Sequence, residues 1–85
     1  MTPTSITSTA AALSDPTRLR LLVLLGDGSR PVGELAEALG VTASVASFHV
    51  TKLAGVGLVT TVRQGRRTVV RREHARWRLV ISAFG

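Results

Sequence analysis

Two helical segments separated by little more than Gly40 and Val41 constrain this chain of 85 residues more than any other feature. Val32-Gly33-Glu34-Leu35-Ala36-Glu37-Ala38-Leu39 reads as a short helix, and Gly40 suits the left-handed residue that closes one. Thr42 then caps a further helix. In that helix Ala46, Val50 and Leu53 recur at a spacing of four and then three, so they face a core. Ser44, Val45, Ser47, Phe48, Thr51 and Lys52 are left pointing outward. Two helices joined so tightly form a helix-turn-helix. After Gly55 and Gly57 the pattern changes from helical to extended. Leu58 to Arg63 and Arg67 to Arg71 are β-branched runs on either side of Gln64-Gly65-Arg66. They predict a two-stranded hairpin in which Gly65 supplies the positive φ of the turn. A polar-faced helix followed by a hairpin tipped with arginine is an order that suits DNA: helix in the major groove, basic loop on the neighbouring backbone.

The rest of the chain predicts three more helices. From about Ser5 to Leu13, Ile6, Ala10 and Leu13 form one narrow apolar face. Ser14-Asp15-Pro16 is a start signal: Ser14 or Asp15 caps, and Pro16 fits a first turn where no donor is missed. The helix that follows, through Leu19, Leu22, Val23 and Leu25, is apolar on most sides and reads as the central core helix. Gly26-Asp27-Gly28 ends it. A last helix, about Glu73 to Phe84, carries Trp77, Val80, Ile81 and Phe84 on one face. The fold class is therefore mainly α with a small β-hairpin. Residues 1–85 read as a single domain, without repeat or linker. A domain this small has a marginal core. The first and last helices leave apolar stripes uncovered: Ile6, Ala10 and Leu13 on one, Trp77, Val80, Ile81 and Phe84 on the other. A two-fold homodimer would close both.

Charge is segregated along the chain. Residues 1–49 hold Arg18, Arg20 and Arg30 against Asp15, Asp27, Glu34 and Glu37, a balance of −1. Residues 50–85 hold Lys52 and seven arginines (Arg63, Arg66, Arg67, Arg71, Arg72, Arg76 and Arg78) against Glu73, a balance of +7. That asymmetry implies a polyanionic partner, double-stranded DNA in this reading. The absence of cysteine excludes disulfides and thiolate metal sites, and suits a reducing cytoplasm. Leu21-Leu22-Val23-Leu24-Leu25 is too short to cross a bilayer, and Met1 to Thr9 lacks the pattern of a secretory signal. No cofactor and no membrane partner are expected. The acidic residues are scattered with no convergent acid/base pair, so no enzyme is expected. His74 beside Glu73 lacks further ligands and is followed by Ala75, Arg76, Trp77 and Arg78, so no metal site is expected either.

The DNA-binding candidates are Thr42, Ala43, Ser44, Ser47, Phe48, His49 and Lys52 on the helix, with Arg63, Arg66 and Arg67 on the hairpin. Short polar side chains near a helix N-terminus reach base edges or phosphates, and Ala43, Val45 and Phe48 offer apolar contact to thymine methyls. Against this, lone serines are often merely solvated, and a small rotation of the helix would bury Phe48. On spacing alone His49, beside the buried stripe, reads as a satisfied, partly buried histidine. Guanidinium groups at the tip clamp phosphates or enter a narrow minor groove. They also protect an exposed strand edge from aggregation.

These residues resemble the ArsR (ArsR/SmtB) family of winged helix-turn-helix repressors over nearly the whole chain. The resemblance rests on Ala12-Leu13-Ser14-Asp15-Pro16-Thr17-Arg18-Leu19-Arg20-Leu21-Leu22 and on Val32-Gly33-Glu34-Leu35-Ala36 through Leu39. Ser47-Phe48-His49 with Leu53, then Gly57-Leu58-Val59 and Gly65-Arg66, complete it. It implies a winged helix-turn-helix of four helices, a two-stranded wing and a C-terminal helix. It further implies a bacterial or archaeal homodimeric repressor that leaves its operator when an effector binds, and a His49 that contacts the DNA backbone or braces the helix. Three positions depart from the family pattern. Pro31-Val32-Gly33 stands where metal sensors carry Cys-Val-Cys, Val69-Val70 where a tyrosine is frequent, and Phe48 where Arg or His often precedes the histidine. The first departure removes thiol-based metal sensing, and no small-molecule effector is named by the sequence. The competing readings are a winged-helix module that binds proteins, as anti-activator or scaffold, and a phage or architectural DNA-binding protein.

Overall fold

The computed structural model describes residues 6–73. The expected last helix, with His74, Trp77, Val80, Ile81 and Phe84, lies outside them. Four helices run in order: α1 (Ile6–Leu13), α2 (Pro16–Leu25), α3 (Val32–Leu39) and α4 (Ala43–Gly55). Three strands complete the fold: β1 (Ser29–Pro31) between α2 and α3, then β2 (Val59–Gln64) and β3 (Arg67–Arg72). The sheet is antiparallel, in the order β1-β3-β2.

Local chemistry sets the helix ends. Asp15 is the residue that caps α2: its carboxylate accepts from the Thr17 N–H at 2.8 Å and the Arg18 N–H at 3.4 Å. Burial pushes that carboxyl up. The two N–H bonds, with His49 and Arg18 nearby, outweigh it and hold the group below its ordinary value. Gly40 closes α3 at φ 70°, the left-handed region that costs glycine least. Thr42 opens α4 by accepting the Val45 N–H at 3.2 Å. The last turn of α2 carries no basic residue of its own. Arg72 of β3 donates to the Leu22 carbonyl and Arg30 of β1 to the Leu24 carbonyl, so one arginine from 50 residues away and one from just past the helix serve that end.

Leu21, Leu22, Leu25, Leu35, Leu39, Val50, Leu53, Leu58, Val59 and Val70 form one buried cluster. α2 is central to it, as expected, but it is turned differently. Leu21 is buried, while Leu19 and Val23 are 42% and 76% exposed. A helix apolar on most sides has no polar face to fix its rotation, so neighbouring elements choose it. The third strand was not foreseen. β1 is three residues long and includes a proline, which donates no hydrogen bond and is tolerated at a sheet edge. Its register places Arg30 opposite Val70 and Pro31 opposite Val69. In α1, Thr9 and Ala12 are buried, while Ala10 and Leu13 are half-buried and Leu13 packs on the core. The Ile6 side chain lies outside the described part.

Candidate nucleic-acid interface

The core fixes which side of α4 faces outward. Ala46, Val50 and Leu53 are buried, and Ser44, Val45, Ser47, Phe48, Thr51 and Lys52 are exposed. Ser44, Phe48 and Lys52 follow at i, i+4 and i+8, one stripe along the helix. Phe48 is 53% exposed, and the Lys52 ammonium stands 5.3 Å from its ring centroid. Its other neighbour is His49, edge-on at 5.5 Å. The Thr51 hydroxyl turns back to the Ser47 carbonyl at 2.9 Å.

His49 sits apart from that stripe. It is 8% exposed, and its Nδ1 accepts the Arg18 Nε–H at 3.2 Å. The same guanidinium donates to the Ala12 carbonyl at 3.3 Å. Arg18 therefore ties the end of α1 to the middle of α4, and His49 is a buried histidine with its Nδ1 satisfied. The position of His49 beside a buried stripe was legible. Its partner, 31 residues away, was not.

The hairpin rises beside α4 on a buried base, Val59 and Val70, and its tip is exposed. Gln64 pairs with Arg67, so Gly65 and Arg66 alone make the turn, with Gly65 at φ 62°. The three arginines differ in what they touch. Arg63 folds back along the hairpin, donating to the Gly65 carbonyl at 3.2 Å and the Thr68 hydroxyl at 3.1 Å. Arg67 reaches across to Glu34 of α3 at 3.4 Å. Arg66 has neither a hydrogen bond nor an ion pair among the described residues.

An open groove of about 500 Å³ runs between these parts. Ala43 and Ser47 of α4 line it together with Pro31, Val32 and Gly33, and Arg63, Arg66, Arg67 and Thr68 line it from the hairpin. Glu34 and Glu37 line it as well. The groove thus gathers five of the expected DNA-binding residues: Ala43, Ser47, Arg63, Arg66 and Arg67. Thr42, Ser44, Phe48 and Lys52 are exposed on α4 but outside its lining. Among the described residues no helix is long and apolar enough to cross a membrane, and no group of three His, Asp or Glu could hold a metal ion.

Comparison with known proteins identifies this arrangement. Residues 13–62 match the model of a helix-turn-helix domain family. The homodimeric winged helix-turn-helix DNA-binding domain of a possible ArsR-family transcriptional regulator from Mycobacterium bovis superimposes with a TM-score of 0.81 at 32% identity. That match covers 92% of this chain and 73% of the other. The chain belongs to the ArsR family. An ArsR-like transcriptional regulator from Rhodococcus sp. RHA1 is equally similar, with a TM-score of 0.79 at 32% identity over 92% of this chain and 74% of its own. Among curated relatives, the HTH-type transcriptional regulator CmtR of Mycobacterium tuberculosis is 50% identical over 56 residues, 66% of this chain and 48% of its own length. NmtR of the same species is 42% identical over 64 residues, 75% of this chain and 53% of its own. The chain spans about half the length of these curated relatives. The winged helix-turn-helix read from the sequence is the fold of the family, with β1 as a third strand beside the two of the wing.

Proposed function

We propose that this ArsR-family chain is a sequence-specific, DNA-binding transcriptional regulator, a homodimeric repressor acting without catalysis in the cytoplasm of a bacterium or archaeon. One observation carries the reading: the exposed face of α4 and the arginine-bearing hairpin flank a single groove. In this reading residues 1–85 act as one winged helix-turn-helix domain.

Each candidate has a role that its place supports. Ser47 and Ala43 meet base edges near the start of α4, with Ser44 and Phe48 beside them; Phe48 contacts a thymine methyl. Thr42 keeps the first turn of α4 formed, and Lys52 neutralises a phosphate. His49 holds α4 against α1 and α2. Arg66, and after rearrangement Arg63 and Arg67, bind the backbone or a minor groove and supply affinity with little sequence preference. The assembly joins α1, through Ile6, Ala10 and Leu13, to the segment bearing Trp77, Val80, Ile81 and Phe84. A two-fold pair sets two recognition helices about 34 Å apart, one turn of DNA. The homodimeric state of the Mycobacterium bovis relative supports this.

The test is binding to duplexes selected from genomic fragments, measured against salt. If a dimer neutralises roughly 6–10 phosphates, affinity falls by about 10³–10⁵ between 50 and 200 mM salt. A flat salt response, or equal affinity for selected and scrambled duplexes, refutes the reading. Sedimentation at tens of micromolar tests assembly, and a stable monomer refutes the dimer.

A further inference from the structure

The groove that faces DNA in this reading carries a carboxylate against its own arginines. Glu34 lies in the first turn of α3. One of its oxygens stands 3.4 Å from Arg67 Nη2 on β3, and the other 3.9 Å from Arg30 Nη1 on β1. All three side chains are about half exposed, so the pairs are weak and exchangeable. Arg67 is nevertheless not a free cation: its guanidinium already faces an anion across the groove.

We propose that Glu34 is an internal competitor for DNA phosphate, holding back Arg67 and so restraining the sequence-independent part of the affinity. The proposal rests on the DNA-binding reading above. A phosphate arriving at the hairpin must displace the carboxylate from Arg67, and it also meets the like charge of Glu34 and Glu37 on the same lining. Base-edge contacts from Ser47 and its neighbours are untouched by that exchange. Glu34 thus adjusts how tightly any duplex is held without altering which duplex is preferred. A purely structural role has the opposite sign: loss of a residue that merely positioned Arg67 would weaken binding.

The experiment is a double-variant cycle on the full chain, using a short mixed-sequence duplex at two salt concentrations. Glu34→Gln keeps the size of the side chain and removes its charge. It is expected to tighten binding about two- to fivefold, the span set by an exposed ion pair. It should also steepen the salt dependence by up to about one counterion as Arg67 engages. In an Arg67→Ala background the same substitution should lose most of that gain, and the order of preference among selected duplexes should not change. Weaker or unchanged binding by Glu34→Gln overturns the proposal, as does an equal gain with and without Arg67. The two readings fail separately. Salt-dependent binding by the unmodified protein with an unresponsive Glu34→Gln removes the competitor alone, whereas no binding at all removes both.

Discussion

α4 and the hairpin both line one groove, yet they are held by different physics. α4 buries Ala46, His49, Val50 and Leu53 along one side, so its outward residues are set by a packed core. The hairpin buries Val59 and Val70 at its base, and the rest of β2 is exposed. At its tip, the directions of the arginines depend on hydrogen bonds and an ion pair open to solvent. Burial places a surface within narrow limits, because any rotation uncovers apolar area. Exposed ion pairs exchange readily with other anions. In the proposed function, the difference suits a division of labour in which the helix reads and the hairpin holds.

The harshest way to break that comparison is to loosen the core beneath α4. Leu53 is completely buried, and Leu53→Ala should cost about 2–5 kcal/mol, measured as a lower urea midpoint. A change below 1 kcal/mol would mean that α4 is not held by packing. Truncating the reading face should leave stability alone and alter choice. Ser47→Ala and Phe48→Ala should shift preference among selected duplexes by about 1–3 kcal/mol per contacted base pair. If both retain the parent's preferred sequence, α4 does not read bases.

Smaller effects sharpen the comparison. Thr42→Ala removes the Val45 cap bond and should cost about 1 kcal/mol of stability, visible in thermal melting. Arg66→Ala, on the hairpin, should leave the melting temperature unchanged. It should weaken binding to all duplexes alike, with the salt slope reduced by about one. A change of sequence preference by Arg66→Ala would undo the division of labour. The smallest effect concerns pH. The carboxyl of Asp15 is held below its ordinary 3.8 in the folded state, so its contribution to stability is fully present above that value. The contribution is lost as the pH falls through the lower folded value, and Asp15→Asn should flatten the acid limb of a stability profile.

Several features were decided by the sequence because their causes are local. Pro16 behind Asp15, Gly40 followed by Thr42, and Gly65 between two β-branched runs specify ends and turns through backbone conformation and side-chain caps that reach three residues or fewer. The spacing of Ala46, Val50 and Leu53 specified the inner side of α4, because those apolar residues recur at helical spacing while Ser44, Ser47, Thr51 and Lys52 fall on the other side. The family resemblance, carried by fragments in a fixed order, was legible for the same reason.

Tertiary structure decided what depends on partners far along the chain. β1 is too short to show a period, and it is a strand because β3 pairs with it. The rotation of α2, which leaves Leu19 and Val23 outside, follows from how its neighbours pack on it. Arg72 reads as one more basic residue of a charged segment, yet it serves the Leu22 carbonyl 50 residues away. His49 meets Arg18 across 31 residues, and Arg67 meets Glu34 across 33. Spacing along one element reveals which side a residue occupies, but the groups opposite it are chosen only when the elements pack. For that reason the sequence by itself could count the arginines of the hairpin, and only the fold could distinguish Arg66, which has no ion pair among the described residues, from Arg67, which already has a carboxylate.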